Sequence, residues 1–452
     1  VRAIALLFAL VSLPLNAADE KPVSFFNEVV PVFKKSCTGC HHPGKLKGQL
    51  DLTTYDAAIK GGKNGALVKP GDAKTSMLME EITGEEPSMP KEGDPLSKDE
   101  LALIEKWIAQ GAKDDTPASA KSLKPSEPPT YLAPPVISAF AWSPDGKVLA
   151  VSGYHEVLLH DVAGSNVLAR LLGESPRVES LAYSTDGKLL GVAGSAPALF
   201  GEVQIWNTAS NSLEKSFKVS SDSIYGLSFS PKADRVAIGC ADKTVRILAV
   251  ADGKELLKFD NHSDWVFGTL WTVDGKRLLT GSRDKAMKML DASNGQFIDD
   301  INKLIDPILC IARHPKEDTV AYGGEMGFAR TYKISDNQGR TAANNDVNLR
   351  KEFERLAGPV HAIAYNADGS LLAVGGAGPE VRVYNSADAK RVATLKGHGG
   401  AIFALAFNSQ TNLLAAGGFD GNVRLYETTK GELVRSFVPV PIKAAAVQQA
   451  AR

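Results

Sequence analysis

Two hydrophobic rhythms divide the chain. Up to about residue 113 apolar positions recur at helical spacing, and from Ile137 onward they fall into short strand-like runs. In the first part Phe25, Phe26, Val29, Val30 and Phe33 form one helical stripe. Pro31 falls inside it, which predicts a kink or a helix that starts later than the stripe. A second stripe, Leu101, Ile104, Trp107 and Ile108, follows the capping box Ser97-Lys98-Asp99-Glu100 and stops at Gly111. Between them Ser76 is placed to cap a short helix through Met77, Leu78 and Met79, ended by Gly84.

The second part repeats itself. Each unit has an apolar strand, a tight turn, a second apolar strand ending in small residues, and a third strand. The turns start at Ser143, Ser184, Ser230, Thr272, His314, Asn366 and Asn408, mostly 41 to 46 residues apart with one gap of 52. In Ser143-Pro144-Asp145-Gly146 and its counterparts, Asp-Gly supplies the turn backbone. Seven such units predict a closed ring with no exposed sheet edges. Two closures are open: Glu432 to Phe437 as the outer strand of the last blade, or Tyr131 to Pro135 crossing over as a clasp. The long fifth unit holds Ser335 to Arg355, rich in Asn, Asp, Lys and Arg. It reads as a solvated insertion with a short helix around Leu349 to Leu356, or as a docking element.

Between the two parts, residues 114–135 contain Pro117, Pro125, Pro128, Pro129, Pro134 and Pro135 and little apolar content, the composition of an extended linker. The expected organisation is a leader at 1–18, a small all-α domain at 19–113, the linker at 114–135, an all-β seven-bladed propeller at 136–440 and a tail at 441–452.

The leader is read from Arg2, the apolar stretch Ile4 to Leu15 and the small residues Asn16-Ala17-Ala18. Its apolar core is shorter than the roughly 20 residues a membrane span needs, and no later stretch qualifies. The expectation is an exported, periplasmic or extracytoplasmic protein without a transmembrane segment. A net charge of -1 with no basic face argues against nucleic acid. Of the four cysteines, Cys240 and Cys310 sit in apolar runs and read as buried free thiols, with a disulfide as the alternative that export permits.

The other two open the run Cys37-Thr38-Gly39-Cys40-His41, the attachment signature of a c-type haem. The thiols would bond to the haem vinyl groups and His41 would supply one axial nitrogen. The remaining axial position has four candidates: Met77, Met79, Met89 and His42. Met77 and Met79 fall in an expected helix and read as core. His42, adjacent to His41, cannot easily reach the opposite face. Met89 lies in the loop Pro87-Ser88-Met89-Pro90, where flanking prolines restrict the backbone, and it is the favoured ligand. Zinc would need two further Cys or His ligands at suitable spacing, and beyond His42 the next histidine is His155.

Residues 24 to 112 resemble the small class I cytochrome c domains common in planctomycete and related bacterial exported proteins. The resemblance rests on the Cys-x-x-Cys-His run, Gly44, Leu50-Asp51-Leu52, Gly61-Gly62, Val68-Lys69-Pro70-Gly71-Asp72, Ser76-Met77-Leu78, Met89-Pro90 and Trp107 to Ala112. It implies one covalently attached haem c held by Cys37 and Cys40, with His41 proximal and Met89 distal. The family often has a second proline after the methionine, where this chain has Lys91.

The repeats are similar to WD40 repeats in period. In that family a histidine and a turn aspartate hydrogen-bond with hydroxyl-bearing and aromatic positions to brace each blade. His398, Asp420 and Tyr426 match in the last unit, which looks closest to the pattern. His262 and Asp284 offer a second pair, and Trp206 keeps the aromatic of the second unit.

No nucleophile elbow, metal cluster or phosphate-cradling glycine loop is found in the sequence. The expected function is single-electron transfer by the haem domain, with the propeller binding or positioning a redox or scaffold partner. The alternatives are a propeller scaffold with a structural or sensory haem, and a haem-dependent periplasmic oxidoreductase.

Overall fold

The computed structural model describes residues 21–42, 45–117, 127–162, 166–334 and 346–443. The expected leader at 1–18, the middle of the proline-rich stretch (118–126), Gly44, residues 335–345 of the fifth unit and the tail from 444 lie outside the described residues. The chain divides into two units, residues 1–121 and 122–452.

The first unit has few helices, and they are short. The stripe expected as one helix begins as a π-helical turn, Phe25–Val29, and continues as an α-helix, Val30–Ser36. Pro31 occupies the first turn of that α-helix, where its missing N–H needs no partner. Helices Tyr55–Lys60 and Met77–Ile82 follow. Ser76 precedes the latter but does not cap it; its buried hydroxyl accepts from the Lys69 N–H (2.8 Å) and donates to the Asp72 carbonyl (2.8 Å). Helix Lys98–Ala109 has both halves of the predicted capping box, with the Ser97 hydroxyl accepting from the Glu100 N–H and the Glu100 carboxylate accepting from the Ser97 N–H (2.8 Å). Lys35 and Ser97 together hold the Glu100 carboxyl down to about 2. The helix ends in a Schellman pair: Gly111 N–H donates to the Ile108 carbonyl and Ala112 N–H to the Trp107 carbonyl, with Gly111 at φ +96°. Trp107 stacks on Phe25 at 5.2 Å, so the first and last helices share one core with Phe33, Ile104 and Ile108.

The second unit is a seven-bladed propeller. Seven four-stranded antiparallel sheets each use four strands consecutive in sequence. The blades span residues 140–172, 177–220, 224–259, 266–300, 308–352, 360–395 and 402–437. The first strands of neighbouring blades pack together and form the inner ring. Among the described residues seven apolar clusters each draw on two adjacent blades, including one that joins Phe140, Leu149 and Val151 to Ala415 and Leu425 across the closure. At that seam Trp142 Nε1–H donates to the Ala406 carbonyl (3.0 Å) and Ile137 N–H to the Gly418 carbonyl (3.0 Å).

Closure uses both sequence candidates, and among the described residues no strand is exchanged. Glu432–Phe437 is the outer strand of blade 7. Tyr131 forms an isolated parallel bridge with Ile442, and its buried hydroxyl donates to Glu156, which Arg170 also grips. In the fifth unit Leu349–Glu352 is a strand, not the expected helix: it pairs with Ala329–Lys333, and Arg330 meets Glu352 at 2.6 Å. The fourth strand of that blade is therefore delayed by the inserted residues, not replaced by them. Cys240 and Cys310 are free thiols in blades 3 and 5, each pushed by burial up to about 12.

Of the two histidine–aspartate pairs expected to brace a blade, His262–Asp284 makes the direct contact and His398–Asp420 does not. In blade 4 His262 Nδ1–H donates to Asp284 (2.8 Å) and Nε2 meets the Thr280 hydroxyl (2.8 Å). In blade 7 the position equivalent to Thr280 is Ala416, and Arg424 stands between the other two partners. Its guanidinium donates to Asp420 (2.7 Å) and to His398 Nδ1 (3.0 Å). His398 Nε2 is left buried with no partner, and burial followed by the nearby Arg424 charge pushes the imidazole down to about 4. The same third-strand position carries Arg246, Lys288, Arg330 and Arg382 in blades 3 to 6, each paired with a carboxylate. Blade 2 differs again: Trp206 Nε1–H donates to Gln204, which donates to the buried Glu202.

Another regularity concerns the inner strands. In blades 2 to 7 each carries a one-residue bulge, at Glu179, Tyr225, Phe267, Leu309, His361 and Phe403 respectively.

Ser97→Ala removes a cap and is expected to lower the stability of the first unit by about 1 kcal/mol, read from urea unfolding against wild type. Ala416→Ser supplies an acceptor for the buried His398 Nε2–H and should stabilise the propeller by about 1 kcal/mol. The pH response of His398 has a definite sign. Its unfolded imidazole takes a proton near 6.5 and the folded one only near 4, so the unfolded state binds more protons in that window. Wild type should lose stability relative to His398→Asn as pH falls from 6.5 towards 4, measured as converging urea midpoints.

Candidate haem-binding site

Helix Val30–Ser36 delivers its C-terminus to the wall of a cavity of about 330 Å³. The chain then makes one more helix-like turn. Cys37 N–H donates to the Phe33 carbonyl (2.8 Å), and the Cys37 carbonyl accepts from the N–H groups of both Cys40 and His41 (3.1 Å each). Positions three and four apart on such a turn share a side, and Cys37, Cys40 and His41 all line the cavity. Gly39 between them has nothing within 4 Å of where a Cβ would stand. Burial pushes the Cys37 thiol up to about 11.

His41 is oriented by main chain. Its Nδ1 lies 2.9 Å from the Lys47 carbonyl oxygen. A carbonyl can only accept, so Nδ1 carries the proton and Nε2 keeps its lone pair, the arrangement usual for a metal-binding imidazole. Lys47 is itself fixed, because its N–H donates to the Cys40 carbonyl (3.2 Å). The wall beyond is a tight hairpin: Gly62 pairs with Gly65, and Lys63 N–H donates to the Gly48 carbonyl (2.7 Å). A Cβ on Gly62 would stand 2.6 Å from the Gly48 oxygen, so only glycine permits this approach.

Met89 lines the same cavity. Its N–H donates to the Glu81 carbonyl (2.9 Å), and the Ser88 hydroxyl donates to the Glu81 carboxylate, which ties the loop to the end of helix Met77–Ile82. Met77 also reaches the cavity, whereas Met79 is buried in the core behind it. His42 is half-buried in a two-residue ladder with Lys45 and is not among the cavity residues. The rest of the lining is mixed: Leu50, Leu52, Leu67, Leu78, Ile82 and Leu96 supply an apolar part, and Lys35, Lys47, Lys63, Lys91, Glu81 and Glu92 a charged one. The structure thus brings together Cys37, Cys40, His41 and Met89, and adds Met77 and the Gly62–Gly65 hairpin. Sequence reading had noted the Gly61-Gly62 pair without a reason for it.

This donor set suits a covalently held haem: two thiols to tether it, an imidazole with a fixed tautomer, and a thioether. Residues 37–93 match the family Planctomycete cytochrome C. The match opens on Cys37 and runs just past Met89. In the propeller, residues 389–427 match the WD domain, G-beta repeat, and residues 227–314 match the Anaphase-promoting complex subunit 4 WD40 domain. No curated protein matches the chain. The chain thus joins a segment similar to planctomycete cytochrome c to a seven-bladed propeller of the WD40 type.

Proposed function

We propose that this protein is an exported, periplasmic single-electron carrier with one haem c in its first domain, and that its propeller positions a protein partner. The observation that carries the reading is the convergence of Cys37, Cys40, His41 and Met89 on one cavity that also has a leucine-rich wall. Each residue has a separate task. Cys37 and Cys40 would form the covalent tether, and His41 Nε2 and the Met89 sulfur would hold the iron. When bound, the haem supplies reversible iron(II)/iron(III) cycling, and a thioether ligand raises its potential relative to a second imidazole.

The chain's own part is to hold these groups still. The Lys47 carbonyl fixes the His41 tautomer and ring plane. The Glu81 contacts hold the Met89 loop, so the sulfur stays in place when the net charge at the site changes. The leucines and Ile82 exclude water, which limits solvent reorganisation. Export is supported by the leader read in residues 1–18 and by the chemistry of covalent haem attachment; among the described residues no helix is long and apolar enough to cross a membrane. The all-α class I domain, its boundaries at 19–113, the linker at 114–135 and the propeller at 136–440 belong to the same reading.

Protein matured in a host that attaches c-type haem should gain the mass of one haem per chain. An unmodified polypeptide mass would overturn the proposal. In the oxidised form, Met89→Ala should abolish the weak sulfur-to-iron band at the red end of the spectrum, while Met77→Ala retains it. The reverse result would move the distal role to Met77.

A further inference from the structure

The six inner-strand bulges lie at equivalent places. Each blade has four strands, so the chain returns to the same face before every inner strand, and each bulge is within the first three residues of its strand. Bulges re-aim a side chain away from the regular pleat, and here they bring side chains of neighbouring inner strands together. Tyr225 and Phe267, from neighbouring blades, have ring centroids 4.9 Å apart, and His361 and Phe403 are 5.2 Å apart. Trp265, in the loop entering blade 4, lies 5.7 Å from Tyr225 and is 38% exposed. Blades 3 and 4 therefore present a cluster of aromatic rings here, with Trp265 open to solvent.

Glu179 breaks the apolar pattern. It is half-buried beside Tyr225, and burial holds its carboxyl above the ordinary range. Among the described residues no hydrogen bond or salt bridge reaches it; exposed Arg177 acts on it only through space. Buried Glu202 on the same blade is, by contrast, satisfied by Ser175, Ser216 and Gln204. A purely apolar occupant would strand the Glu179 charge. A cation on a hydrocarbon stem satisfies both the carboxylate and the rings.

We infer that this part of the inner ring recognises a protein partner through an arginine side chain, its guanidinium meeting Glu179 and its flat face resting on Tyr225 and Phe267. Arginine suits the site better than lysine because guanidinium is less strongly hydrated and stacks on aromatic faces. The inference rests on the propeller being the partner-binding half of the proposed carrier, and it names the chemistry of that contact.

The test is calorimetric titration of the full-length protein with capped tripeptides whose central residue is arginine, lysine or norleucine. The arginine peptide should bind about tenfold more tightly than the norleucine peptide, with lysine weaker than arginine. Glu179→Gln and Phe267→Ala should each weaken the arginine peptide by about tenfold, and Glu214→Gln on an outer strand should leave it unchanged. If Phe267→Ala fails to fold, the near-isosteric Glu179→Gln decides alone. Equal binding of norleucine, indifference to Glu179→Gln, or no binding of the arginine peptide would each overturn the inference. Protein that carries haem yet ignores the peptide would leave the electron-carrier reading standing.

Discussion

A four-stranded blade presents two apolar faces and can bury neither by itself. Every blade here shares each face with a neighbour, and the seven clusters alternate with the seven blades around the ring. The seam between the last and first blades therefore carries the same weight as any other interface, and the chain leaving blade 7 reaches back across it, where Val440 packs on Leu158 and the Pro439 carbonyl lies 2.9 Å from His160 Nε2. The termini must be held for the ring to stay shut, and among the described residues no strand is exchanged to do it. The work falls to Trp142 across the inner ring and to the buried Tyr131–Glu156–Arg170 group near the Tyr131–Ile442 bridge. Four strands in every blade set the six bulges at equivalent places around the ring.

The first unit solves a different problem with fewer residues. It has one core, built where the first and last helices cross at Phe25 and Trp107, and a cavity on the far side of the helix that carries Cys37. Its polar groups are used economically. Ser76 abandons the capping role that its position suggests and instead joins Lys69 to Asp72, which fixes the loop leading into the helix of Met77. Leu78 N–H donates to the Leu67 carbonyl (2.9 Å), so that helix is tied to the cavity wall at its start and to the Met89 loop at its end.

Features that depend on local chemistry were legible in the sequence. The capping box, the terminal glycine, the Asp-Gly turns and the Cys-x-x-Cys-His run each need only a few consecutive residues, and each stands where it was read. Features that depend on register were not. Whether His398 finds a hydroxyl is decided by Ala416 on another strand, and only pairing reveals that Arg424 reaches the intervening space. A hint was present in Val245-Arg246, Val381-Arg382 and Val423-Arg424, an arginine recurring inside an apolar strand. Leu349 to Glu352 read as helical because nothing local marks a fourth strand that arrives late. Bulges leave no sequence mark at all, which is why Glu179 and Tyr225 were passed over.

The orientation of His41 illustrates the same division at the candidate site. The histidine itself is obvious in sequence, but the group that turns it is a main-chain oxygen, so the identity of residue 47 has little bearing on it. What matters is where the backbone of residues 45–50 lies. That path is held on one side by the Lys47 N–H on Cys40 and on the other by the Gly62–Gly65 hairpin pressing on Gly48. A side chain at position 62 would push Gly48 away, and the Lys47 carbonyl next to it would move as well. The ring plane of His41, and with it the direction in which its Nε2 faces, thus depends on a glycine more than twenty residues further along the chain. The arrangement of Cys37, Cys40, His41 and Met89 around the cavity therefore depends on backbone that carries none of their side-chain atoms.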